Sequence, residues 1–186
     1  MLPVADGSDF MGSLRNPAGW NHIFGMRPSQ GRVPYGPGVD VWVDQLGTEG
    51  PMARCVRDLA RLLATQSGHD PRQPLSINGV LDVSTIPYTP EALKGLRVGW
   101  LGDLEGHLAL EDGILGVCED ALRAMQNAGA VVEATNLGYD RQALWDCWLV
   151  WRRALVGPKV AALLPLPGAA ALLKPEAMWE YENSLK

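Results

Sequence analysis

Cysteine and histidine are scarce in this chain of 186 residues. There are three of each, and Cys55, Cys118 and Cys147 stand far apart with no CxxC pair. That spacing excludes a disulfide framework and a zinc ribbon, and points to a reducing compartment, the cytoplasm. Neither His69 nor His107 has ligands spaced to complete a metal site, and His22 sits among Trp20, Ile23 and Phe24 as in a packed aromatic patch. An excess of positive charge is also missing. Sixteen Lys and Arg against 21 Asp and Glu give a net charge of −5, which argues against nucleic acid and anionic lipid as partners. Residues 1–15 lack the basic start and apolar run of a signal peptide. The longest apolar stretch, Val160 to Leu173, contains Pro165, Pro167 and Gly168 and is too short to span a bilayer, which takes about 20 residues. It reads as two short helices in the core around a Pro-Leu-Pro break, the alternative being a membrane-surface or partner-binding patch. There is no internal repeat, no G-x-G-x-x-G and no G-x-S-x-G. Gly7 and Gly12 have the separation of a P-loop, but Ser13 stands where that loop needs lysine. No metal and no cofactor is expected.

What remains is an ordinary globular composition, 47% hydrophobic and 20% charged. Residues 1–50 are rich in glycine and carry Pro3, Pro17, Pro28, Pro34 and Pro37, so they read as loops and short elements after the end of a buried strand at 1–5. The apolar stripe of Val56, Leu59, Ala60, Leu62 and Leu63 predicts a helix over 52–67. A loop over 68–92 follows. Arg97–Leu101 reads as a buried strand, Glu111–Ala128 as an amphipathic helix stopped by Gly129, and Ala130–Ala134 as a second strand. Strand, helix, strand make a βαβ unit. Asp140–Leu155 is then a helix with Trp145, Trp148 and Trp151 at i, i+3 spacing, a core or interface stripe. The fold class is α/β, a mixed β-sheet covered by helices, forming one partial domain over 1–186. Both ends read as cut: the chain opens inside a strand and stops in a helix that has no C-cap glycine.

The chemistry lies in Asp6-Gly7-Ser8-Asp9-Phe10-Met11-Gly12-Ser13-Leu14-Arg15-Asn16-Pro17-Ala18, a glycine-containing loop that leads from a strand to a serine at a helix start. Unpaired N–H groups at such a place suit a phosphate or a developing oxyanion. A serine there also reads as a plain helix N-cap. The stretch resembles the core of the amidase signature family, G-[ST]-D-x-G-G-S-[ILV]-R-x-P-A, with Met11 where the first of two glycines is usual. Three further blocks resemble the family in order. They are Gly25-Met26-Arg27-Pro28-Ser29-Gln30-Gly31-Arg32-Val33-Pro34, then Gly50-Pro51-Met52-Ala53-Arg54 with Val56 and Asp58, then Leu93-Lys94-Gly95-Leu96-Arg97-Val98-Gly99.

The resemblance implies hydrolysis of a carboxamide C–N bond through a serine acyl-enzyme, on a small-molecule amide. By match, Ser13 is the nucleophile. Phe10, Met11, Gly12 and Ser13 give backbone N–H groups to an oxyanion hole, and Asp9 and Arg15 support the loop. A preorganised oxyanion donor is worth about 3 kcal/mol of barrier. In the family the lysine base and the bridging cis-serine both precede the nucleophile. Here the four lysines, Lys94, Lys159, Lys174 and Lys186, all follow Ser13. Losing such a base costs on the order of 10⁴–10⁶ in rate, so the expectation is a chain inactive alone. The alternative is a truncated, non-catalytic remnant that binds partners or its own copies through exposed edges.

Overall fold

The structure, a computed structural model, describes residues 2–36 and 46–186. Residues 37–45 of the glycine-rich segment, Pro37 included, lie outside the described residues, as does Met1. The chain divides into two compact units, Met1–Thr85 with Trp151–Lys186, and Ile86–Val150.

The first unit holds a three-stranded antiparallel sheet in the order β1-β3-β2, with β1 at Val4–Asp9, β2 at Phe24–Gly25 and β3 at Thr48–Ala53. Between β1 and β2 lies the short helix α1, Arg15–Trp20. The opening strand therefore does not end at residue 5 but runs on to Asp9. It is held there by a register from Val4↔Ala53 through Gly7↔Gly50 to Asp9↔Thr48. Helix α2 spans Val56–Gln66 rather than 52–67. Met52 and Ala53 belong to β3, and Cys55 stays extended ahead of the first helical turn. Leu59, Ala60 and Leu63 form the buried face of α2, while Val56 is half exposed. With Leu14, Ala18, Val33, Ala53, Leu155 and Val160 they make the core of this unit.

The second unit contains the βαβ element. Strands β4 (Arg97–Trp100) and β5 (Val131–Ala134) pair in parallel from Arg97↔Val131 to Trp100↔Ala134, joined through α3, Ile114–Asn127. Gly113, left-handed at φ +88°, sets the start of α3, three residues later than the apolar pattern suggested. A 3₁₀ turn, Pro90–Leu93, closes the long loop. The expected buried strand at 97–101 is only half covered, and Ala130 is the one buried residue described in this unit. A two-stranded sheet with one helix has too little second layer to bury its faces.

Helix α4, Arg141–Ala161, continues six residues past the expected end, carrying Pro158 inside it. Its aromatic stripe lies at the surface. Trp145 and Trp148 stack at 4.9 Å, and Trp145 and Trp151 are about half exposed. After a turn at the Pro-Leu-Pro segment come α5 (Ala169–Leu172) and α6 (Pro175–Ser184). Of the apolar run only Val160 is buried; Leu163, Leu166 and Leu172 are exposed, against the expectation of a core segment. Trp20 and Phe24 are exposed too, so the patch around His22 is not packed.

Candidate active site

The loop after β1 is held from two sides. From within, Asp9 is 1% exposed and its carboxylate accepts the N–H of Gly12 at Oδ1 (2.7 Å) and the N–H of Leu14 at Oδ2 (3.0 Å). The Nε of Arg27 lies 3.4 Å from Oδ1, and Arg27 also donates to the Leu46 carbonyl at 2.8 Å. Burial pushes the Asp9 carboxyl up. The N–H groups of Leu14 and Gly12, then the charges of Arg27 and Arg15, more than offset it and hold the group below the ordinary aspartate value.

From below, Leu14 is fully buried and acts as a plug. Gly7 and Gly50 face each other in the β1–β3 register. A Cβ at Gly50 would meet Leu14 Cδ1 at 2.7 Å, and one at Gly7 would meet Leu14 Cδ2 at 3.4 Å. Gly50 leaves the hollow that Leu14 fills, and a methyl at Gly7 would meet Leu14 only at ordinary contact distance. Burying such a side chain is worth about 1.5–3 kcal/mol. Gly12 makes the turn with φ +113°, a conformation that favours glycine. Met11 keeps a negative φ, so a side chain is accommodated where the family pattern has glycine.

Pinned in this way, the loop presents Ser13 outward. The residue is exposed, and its hydroxyl has no hydrogen-bond partner among the described residues. The N-cap of α1 is Leu14, with no side-chain cap bond, so Ser13 does not serve as an N-cap. The N–H groups of Phe10, Met11 and Ser13 meet no acceptor among the described residues. Gly12 departs from the expectation. Its N–H is turned to Asp9 and is spent on holding the turn, so it is not a free oxyanion donor. Arg15 lies over Gly12, with Nη2 3.0 Å from where a Cβ would stand, and makes no ion pair with Asp9; that pairing belongs to Arg27.

The C-terminal half of α4 lines the loop. Lys159 of α4 places Nζ 5.9 Å from the Phe10 ring centroid. Arg152 of α4 donates to the Met11 thioether and to Glu180 of α6. Arg27 stood in a matched block without an assigned role. Arg152 and Glu180 carried no sequence signal, because they lie some 140 residues or more beyond the loop. Among the described residues no lysine bonds the Ser13 hydroxyl and no cluster of His, Cys, Asp and Glu is arranged to hold a metal. Nor is any described helix long and apolar enough to cross a membrane.

Comparison with known proteins shows the family of the chain. The Amidase family model matches residues 1–154. A glutamyl-tRNA(Gln) amidotransferase subunit from Deinococcus deserti is 38% identical over 125 residues, covering 67% of this chain and 25% of that protein. An acylamidase of Rhodococcus erythropolis is 35% identical over 147 residues, covering 77% of this chain and 30% of its own length. Among solved structures, a bacterial aryl acylamidase of the amidase signature family superposes with a TM-score of 0.82 at 28% identity, over 100% of this chain and 39% of that one. The chain thus spans 25–39% of the length of these relatives. By its motifs, its fold and the family match, the chain belongs to the amidase signature family.

Proposed function

We propose that this chain carries the nucleophile of a serine amidase acting on small-molecule carboxamides, with Ser13 as the acylated residue. One observation carries the reading. Ser13 stands exposed on a loop that Asp9 and Leu14 fix, with the N–H groups of Phe10, Met11 and Ser13 left for a ligand. In the reaction Ser13 Oγ forms a bond to the amide carbonyl carbon while its proton passes to a base. The oxygen of the tetrahedral intermediate takes up negative charge facing those N–H groups. Collapse breaks the C–N bond, the amine leaves with a proton, and water then releases the carboxylic acid from the seryl ester.

The base lies outside these 186 residues, in keeping with a nucleophile that no described lysine touches. The isolated chain is therefore expected to neither turn over a p-nitroanilide nor accept a fluorophosphonate label. Turnover that Ser13→Ala abolishes would show instead that the base is present. To test Ser13 itself, residues 1–154 are transplanted into the matching stretch of the Rhodococcus acylamidase, or residues 4–27 alone if the larger chimera does not fold. Acylamide hydrolysis and labelling at Ser13, both lost in Ser13→Ala, are the expected results. A folded chimera that stays inert would favour the remnant reading. One that keeps its activity as Ser13→Ala would remove Ser13 from the mechanism. The cytoplasm is the proposed compartment, following from the free cysteines.

A further inference from the structure

Met11 brings a side chain to a position where the family pattern has glycine, and that side chain is docked. Arg152 spends one guanidinium nitrogen on the Met11 sulfur and turns its Nε and Nη2 to Glu180 Oε1. Glu180 is buried at 5% exposure on α6, and its second oxygen is sealed from solvent with no hydrogen-bond partner. A thioether is a weak acceptor and does not fix a guanidinium by itself; a carboxylate does. The ordering runs from the buried carboxylate to the fork and from the fork to the methionine. Lys159, seven residues after Arg152 and on the same face of α4, rests over Phe10 in parallel. Two consecutive residues of the loop are thus braced by one helix.

We propose that Glu180 and Arg152 are positioning residues that set the nucleophile loop through Met11, holding the Met11 N–H where an oxyanion would sit. The inference rests on the reading of this loop as an oxyanion hole, and takes the substitution at Met11 as a side-chain anchor in place of a flexible glycine. Neither residue touches the reacting atoms.

The test is amide hydrogen exchange on the full 186-residue chain, followed at Gly12 and Leu14, whose N–H groups are protected by Asp9 and so report opening of the loop. Glu180→Gln is expected to speed their exchange roughly three- to tenfold, about what one modest hydrogen bond is worth. In a Met11→Gly background the same substitution should add nothing. If the pair served only to hold α6 on α4, the acceleration would be equal in both backgrounds and would spread along both helices; that result overturns the proposal, as does no acceleration. Should Glu180→Gln fail to fold, Met11→Leu removes the sulfur and leaves the ion pair intact. It should release Gly12 and Leu14 to a similar degree, and unchanged exchange would again overturn the proposal. Exchange does not depend on serine chemistry. An inert chimera with the coupling intact therefore counts against the amidase reading alone, and an active chimera without the coupling counts against this one alone.

Discussion

Replacing Asp9 by asparagine keeps the shape of the side chain and removes its charge, which isolates what the carboxylate does. In the native loop both oxygens accept, one from Gly12 and one from Leu14. Asparagine has one oxygen, so its amide NH2 must face one of these N–H groups, donor against donor. The loss is one hydrogen bond to a charged group, about 1.5–3 kcal/mol, plus a buried N–H left unsatisfied, about 1–3 kcal/mol. Arg27 adds less than about 1 kcal/mol, because its side chain is 41% exposed and water screens the pairing. Asp9→Asn should therefore destabilise the first unit by about 3–5 kcal/mol at pH 7, a large share of a domain's usual stability.

The pH dependence gives the sharper check. The native Asp9 carboxyl lies below its ordinary value of about 3.9. Its contribution is complete above that value, where both folded and unfolded chains are ionised. As pH falls below it, the unfolded chain takes up the proton first, and the stability is lost through the native value. Urea unfolding, followed by the amide signals of β1 and β3, should show the gap between wild type and Asp9→Asn narrowing from pH 5 to pH 2. A gap below about 1 kcal/mol at pH 7, or one that stays constant with pH, would refute the account of the loop.

Glu49 should behave with the opposite sign. Burial and the charge of Asp6 raise its carboxyl above the ordinary value, so the ionised form costs stability as pH rises through the window between the ordinary and the native value. Glu49→Gln should raise the Tm at pH 7, with the gain vanishing near pH 3; a gain that persists there contradicts it. Gly50→Ala would drive a methyl into the Met26 carbonyl, to within 2.7 Å of Leu14 Cδ1 and 2.9 Å of Pro28 Cδ. A loss of at least about 1–3 kcal/mol is expected in urea unfolding, and a neutral result would mean that Leu14 does not fill the hollow at Gly50. Arg27→Met should cost only about 1 kcal/mol or less by the same measurement, since Asp9 keeps both of its N–H donors.

The parts of this molecule that sequence discloses are those whose cause is local. Strand, helix and strand over 97–134 follow from apolar periodicity and from Gly129, and the structure has them within a few residues. The turn ahead of Ser13 is local as well, since a left-handed Gly12 and an aspartate three residues earlier make it within one short segment. Strand β3 was hidden for the opposite reason. Gly50 and Pro51 are poor strand formers, and Gly50 is present because the Met26 carbonyl and Leu14 pass too close for any side chain. A helix pattern just downstream therefore claimed Met52 and Ala53. Long-range pairing hides residues in the same way. Arg27 reaches Asp9 across a helix and a strand, and Arg152 reaches Met11 across most of the chain. Neither contact has a period or a spacing to announce it. At Gly50 it is the missing side chain that records the tertiary contact. An alanine there would have made the strand easier to read and left Leu14, and with it the loop that carries Ser13, without a seat.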